Sequence, residues 1–212
     1  MVSWDIAAVT LMITANSLII VKDSKMSALP KEDQYFTYAD YKEWKLAEGE
    51  RYELILGEAY AMAAPSLRHQ EILVTLSSQF FNYLRGKPCK VYPAPVDVRL
   101  FYENDERDDT VVQPDIIVIC DEKKRGTEGC RGAPELVIEI LSPSNTAIEM
   151  ERKLQLYLKA GVKEYWIVIP EDNRIVVYDF KNRGIFGYGN DDTVHVITLP
   201  GLSISLKEIF EE

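Results

Sequence analysis

The sequence predicts one α/β domain on a mixed sheet, in the order helix, three antiparallel strands, helix, strand, with extra strands at both ends. Three observations predict it. His69, Ile72, Leu73, Leu76, Phe80, Tyr83 and Leu84 recur at spacings of three and four, which is one face of a helix. Three strand-like runs follow: CKVYPAPVDVRLFY, VVQPDIIVICD and ELVIEILS. The connections between them, NDERDD and EKKRGTEGCRGAP, are too short for a packed crossover helix, so antiparallel neighbours are expected. A second helical pattern then precedes EYWIVIP, which lets that strand join its predecessor in parallel.

The elements follow in chain order. WDIAAVTLMITANSLIIV is too short and too interrupted to span a membrane, and with Asp5 and no basic flank it is a poor signal peptide. MSALPKEDQYFTYADYKEW reads as a natural beginning. Residues 1–25 are therefore expected to be a non-native or dispensable extension, and residues 26–212 the domain. Phe36 to Glu48 reads as a short helix with Thr37 as a possible cap. RYELILGEAYAMAA alternates about a Leu-Gly turn, as a hairpin does. Pro65-Ser66 opens the first long helix and Gly86 closes it. The second runs from about Asn145 to Ala160, capped by Ser144 or Asn145 and closed by Gly161. RIVVYDF is a fifth strand, and HVITLPGLSISLKEIF reads as short strands with a final helical turn.

Composition narrows the function. The chain has 212 residues, 47% hydrophobic and 27% charged, as an ordinary globular protein does. A net charge of −10 argues against coating nucleic acid by bulk electrostatics, though not against a local basic groove. Lys123, Lys124 and Arg125 with Arg131, and Lys159 with Lys163, read as solvated faces. Cys89, Cys120 and Cys130 form no CxxC pair, and His69 and His195 are the only histidines, so a zinc site is disfavoured. Three cysteines fit a reducing compartment, here the cytoplasm. His195 has no supporting context.

The chemistry lies where charge enters apolar pattern. Asp115 opens the continuous apolar run Ile116 to Ile119, and Glu139 interrupts the third run between Ile138 and Ile140. Ionised carboxylates in such places cost several kcal/mol unless something cationic compensates. Counting Met150, Lys153, Leu154, Tyr157, Leu158 and Gly161 along the second helix puts Lys153 on its apolar stripe. Taken singly, Asp115 could open a strand, Glu139 could face solvent and Lys153 could snorkel. Taken together, a buried acid pair and a buried base fit one site. Mg²⁺, which binds one or two carboxylates plus water and substrate phosphate, suits such a pair.

At these residues the chain resembles the PD-(D/E)XK nuclease superfamily, with Pro114-Asp115 as the PD element and Glu139 as the acid. The lysine expected two residues later is replaced by Leu141, and Lys153 matches the superfamily variant in which it moves to the following helix. More closely, RYELILGEAYAMAAPSLRHQEI, PAPVDVRL, VVQPDIIVICD, GAPELVIEILSPSN, RKLQLYLKAGVKEYWIVIP and LPGLSISLKEIF resemble the Uma-two family of restriction-endonuclease-like proteins. The resemblance implies a restriction endonuclease-like fold and a Mg²⁺-dependent DNA endonuclease, with Mn²⁺ as a substitute. Asp115, Glu139 and the Ile140 backbone carbonyl would hold the ion. Lys153 would orient or deprotonate water, with a pKa depressed by burial and metal. Asp97, His69 and Glu53 are possible accessory residues. A homodimer is implied, since two strands need two cuts. The competing reading is an inactive module of the same fold that binds nucleic acid or a protein. A carboxylate-based glycosidase explains neither Lys153 nor the metal.

Overall fold

A computed structural model describes residues 34–44, 46 and 48–211. The extension expected at residues 1–25 lies outside them. The expected helix at 36–48 shrinks to one turn, α1 (Tyr38–Tyr41), with the Asp40 carboxylate accepting from both the Thr37 N–H and its hydroxyl at 2.8 Å. The hairpin forms as β1 (Tyr52–Ile55) and β2 (Glu58–Ala61). Its turn residues, Leu56 and Gly57, both have positive φ, 51° and 82°, as the tightest hairpin turns require.

The long first helix, α2 (Leu67–Leu84), buries His69, Ile72, Leu73, Leu76, Phe80 and Leu84, with Ser66 as its cap. Beyond it the first two strand-like runs each break in two. The first becomes β3 (Lys90–Pro93) and β4 (Val98–Arg99). The second becomes β5 (Val111–Val112) and β6 (Ile116–Ile119). The halves of each run join different sheets, because prolines at 93, 95 and 114 cannot donate to a ladder. The connection expected to be a loop at 122–134 instead carries a ribbon, β7 (Arg125–Gly126) and β8 (Gly129–Arg131). Then come β9 (Leu136–Ile140), α3 (Ala147–Ala160), β10 (Glu164–Ile169), β11 (Arg174–Asp179) and β12 (Gly184–Tyr188), and finally the ribbon β13 (Thr193–His195) and β14 (Ser203–Ser205) with α4 (Leu206–Phe210).

The large sheet has the order β12-β11-β10-β9-β6-β3, and the small one β2-β1-β5-β4-β8-β7. In the large sheet β3, β6 and β9 pair antiparallel, and β10 joins β9 in parallel, as the sequence predicts. Its strands alternate between two cores. Ile116, Val118, Leu136, Ile138 and Trp166 pack under α2 and the C-terminal ribbon. Ile117, Ile119, Val137, Tyr165 and Ile167 face α3 and the small sheet. Burying each such side chain contributes roughly 1.5–3 kcal/mol.

Two details of α3 differ from expectation. Thr146, not Ser144 or Asn145, caps it, in a reciprocal box with Glu149, while Asn145 accepts from the Ser142 N–H. Leu156 is buried on its inner face and Leu158 is 49% exposed. Cys89 and Cys120 stand side by side across the β3–β6 pair and form a disulfide, which the count of three gave no sign of; Cys130 is free and buried. No helix among the described residues is long and apolar enough to cross a membrane.

Gly129 sets how the ribbon meets β4. Its φ is 133°, and a Cβ there would lie 2.3 Å from the Asp97 carbonyl oxygen, which accepts from the Cys130 N–H at 2.8 Å. Gly129→Ala is expected to lower stability by about 1–3 kcal/mol. An unchanged urea midpoint would show that the ribbon yields freely.

Candidate active site

Asp115, Glu139, Lys153, Glu53 and His69 meet at one end of the large sheet. Ile116 pairs with Ile138, so Asp115 and Glu139 stand one step beyond, where β6 begins and β9 nears its end. The alternation that sends Ile138 to the α2 side sends Glu139 to the α3 side with Val137. Asp115 is fixed at both oxygens: Oδ2 accepts from the Ile140 N–H at 2.7 Å, and Oδ1 lies 3.3 Å from His69 Nε2. His69 reaches it from the first turn of α2, where Ser66 accepts its backbone N–H.

Lys153 rises from the inner face of α3 into the carboxylates. Its ammonium donates to Glu139 Oε1 at 3.0 Å and to Glu53 Oε1 at 2.9 Å. The buried acid and the buried base thus sit in one ion cluster. Glu53 also accepts the Gln113 N–H at 2.9 Å, which ties the hairpin of the small sheet to the chain just before Asp115. Tyr157, one turn beyond Lys153, donates its hydroxyl to Glu139 Oε1 at 2.5 Å. The sequence marks Tyr157 only as part of an apolar stripe; its spacing of four from Lys153 is the signal for its polar role. Gln113 holds Glu53 through its backbone N–H, so its side-chain type carries no signal for that contact.

The electrostatics correct one expectation. Burial opposes the charge on Lys153, but Glu139 and Glu53 outweigh it and hold its pKa well above the ordinary lysine value. Its pKa is therefore raised, not depressed, and it stands here as an ammonium donor rather than a ready base. Glu139 is the proton-seeking group. Burial pushes it up to about 7, with the charges of Asp115 and Glu53 adding to this and Lys153 and Tyr157 opposing it. Burial lowers His69, but its hydrogen bond and ion pair with Asp115, with help from the Ile140 backbone, raise it overall. Its Nδ1 is buried with no partner among the described residues.

The other sequence candidates lie elsewhere. Asp97 accepts from Gln113 Nε2 at 2.8 Å and Tyr41 Oη at 3.0 Å, and lines a separate cavity. His195 is exposed, with Nδ1 2.9 Å from Ser203 Oγ. Of the basic clusters, Lys124 donates to Glu135 and the Ala133 carbonyl and so braces the fold, while Lys163 lies 3.7 Å from Glu135 with its side chain largely exposed.

The donor set distinguishes between metals. Among the described residues no three of His, Cys, Asp or Glu form a group that could hold a metal unaided. That disfavours zinc, which takes three or four protein ligands. Mg²⁺ keeps most of its waters and needs only one or two carboxylates. Two carboxylates, Glu53 and Glu139, share one lysine here, and no hydrogen bond among the described residues uses Glu139 Oε2. Asp115 and Glu139 therefore fit a hydrated Mg²⁺.

A family model described as "Putative restriction endonuclease", Uma2, matches residues 38–207. The chain is similar to an uncharacterized protein, slr1290, of Synechocystis sp. (strain ATCC 27184 / PCC 6803 / Kazusa), 28% identical over 175 residues, covering 81% of this chain and 89% of that one. A solved structure of a "putative nuclease belonging to DUF820" from Anabaena variabilis ATCC 29413 superposes with a TM-score of 0.66 at 21% identity. It covers 82% of this chain and 97% of its own, and at that identity it shows the shared fold.

Proposed function

The chain belongs to the Uma2 family, and on that premise we propose that it is a Mg²⁺-dependent endonuclease that hydrolyses phosphodiester bonds in DNA. The observation that carries the reading is the meeting of Asp115, Glu139 and Lys153 at one sheet end. Asp115 and Glu139 would hold the ion, with the Ile140 carbonyl as a further ligand. When bound, Mg²⁺ supplies Lewis acidity, polarising the phosphate and easing ionisation of a water.

The chain's own residues do the rest. His69 and the Ile140 N–H fix the Asp115 carboxylate. Tyr157 and Lys153 both engage Glu139 Oε1, which orients the carboxylate and leaves Oε2 for a ligand. Lys153, held charged, presents a positive donor to the oxygens on which negative charge grows as the phosphate is attacked. Glu53 is a positioning residue that keeps Lys153 turned into the site.

The alternative, an inactive module, draws on the ion cluster being satisfied without substrate. Nicking of supercoiled plasmid with Mg²⁺, Mn²⁺ or EDTA, with Glu139→Ala in parallel, separates the two. Metal-dependent nicking lost in the variant is expected. No nicking of any DNA form would favour the binding module. A homodimer, proposed from the need for two cuts, would sediment at twice the chain mass.

A further inference from the structure

The large sheet treats its two edges differently. Strand β3, at one edge, carries Lys90 and Pro93, and a positive charge and a proline both discourage a further strand. Strand β12, at the other edge, reads GIFGY and carries neither, and Ile185 and Phe186 are exposed on it. Among the described residues no strand pairs with its outer side. We propose that a second copy of this chain pairs there, antiparallel, so that the two large sheets run on as one. This gives the homodimer named above a surface; only the expectation of a pair rests on the nuclease reading.

The backbone is set for such a pairing. The Phe180 N–H donates to the Lys163 carbonyl, so the even-numbered residues of β11 face β10 and the odd-numbered ones face β12. Asp179 pairs with Gly184 and Val177 with Phe186, which leaves Ile185 and Gly187 with their N–H and C=O pointing outward. An antiparallel ladder pairs outward-pointing residues with one another, so the two-fold axis between copies passes beside a residue. Placed at Gly187, it sets Phe186 of each copy opposite Tyr188 of the other, in the closer kind of cross-strand pair. Aromatic pairs of this sort are among the stabilising contacts of a sheet.

Charge selects the occupant and its direction. Lys181 and Arg183, both exposed, precede the strand, and Asp191 and Asp192, also exposed, follow it. Antiparallel pairing of two copies lays the basic end of each against the acidic end of the other, with Arg183 and Asp191 equally far along the chain from Gly187. Parallel pairing would set like charges together. A strand of unrelated sequence has no reason to match both ends.

Sedimentation velocity of the full-length chain in EDTA, over a concentration series, reads the association. A strand-edge contact is small for a protein interface, so a dimer that dissociates on dilution is expected. In the dimer the Ile185 and Gly187 amides should exchange slowly with solvent, and on dilution they should exchange freely. Gly187→Pro removes an N–H that β11 does not use, and should weaken the dimer about tenfold or more. A Cβ at that position meets only Arg174 Nη2, at 3.8 Å, so the urea midpoint should barely move. Arg183→Glu should weaken the dimer about tenfold, and adding Asp191→Lys should restore it, which a loss of folding would not allow. A chain that stays monomeric at every concentration overturns the proposal. So does a dimer that neither variant weakens, which leaves the homodimer with another interface. So does a monomer whose β12 amides are protected, in which another segment of the chain lies on the edge. Plasmid nicking is read separately: a monomer that cleaves leaves the nuclease reading standing, and a dimer that never cleaves leaves only this interface.

Discussion

Lys153→Met is expected to reduce Mg²⁺-dependent cleavage by about two to three orders of magnitude, the scale of losing one preorganised donor to developing charge. Methionine keeps the length and apolar stem of the side chain and removes the ammonium alone. The variant should also be less stable in EDTA by about 3 kcal/mol, because Glu53 and Glu139 are left as buried carboxylates with their shared cation gone. Adding Glu53→Gln and Glu139→Gln to it should recover most of that loss, since the uncompensated charges go too. Plasmid nicking and urea unfolding read the two effects separately. Cleavage at the wild-type rate would remove Lys153 from the mechanism, and unchanged stability would mean the ion cluster contributes nothing to folding.

The metal-free protein should lose stability as pH rises from about 4.5 to about 8, and Mg²⁺ should restore it. Glu139 has its pKa raised from 4.5 to about 7 in the folded chain, so between those values the native state binds more protons than the unfolded state. Stability from this group is then fully present below pH 4.5 and is lost as pH passes through about 7. The interval corresponds to roughly 3 kcal/mol. An ion that binds the ionised site only in the folded state offsets the loss, by about 2.7 kcal/mol at a hundredfold excess over its Kd. Urea midpoints from pH 4.5 to 8, in EDTA and in Mg²⁺, test this against Glu139→Gln. A variant with the same pH slope as wild type would place the proton uptake elsewhere.

The helix stripes and the order of the core strands were legible because each is a local apolar period read against one packing face. Glu139 and Lys153 stood out because each breaks such a period. What stayed hidden depends on tertiary choice. The sheet exchange inside 89–102 and 111–121 is invisible to alternation, since both halves of each run are apolar; only the prolines hint at it. Strand β12 was missed because Ile185 and Phe186 are 53% and 44% exposed between glycines, so the edge strand is held by its backbone pairing with β11. Tyr157 was counted as core, and it is core, with one polar atom aimed at Glu139. Leu158 was drawn on the stripe where Leu156 is the buried residue; two positions at about 100° each put them on nearly opposite faces, and the helix packs on the face of Lys153, Leu156 and Tyr157.

The contact between Lys153 and Glu53 joins residues a hundred positions apart, and Asp115 meets His69 and Ile140 from two other elements. Such pairings form only after long loops have closed, which slows folding and leaves early intermediates without them. The charged cluster is therefore absent until the hairpin, α2, β6, β9 and α3 have all docked. A chain still emerging during synthesis therefore has Glu53, His69 and Asp115 in place along its length before the lysine and glutamate that complete the cluster exist.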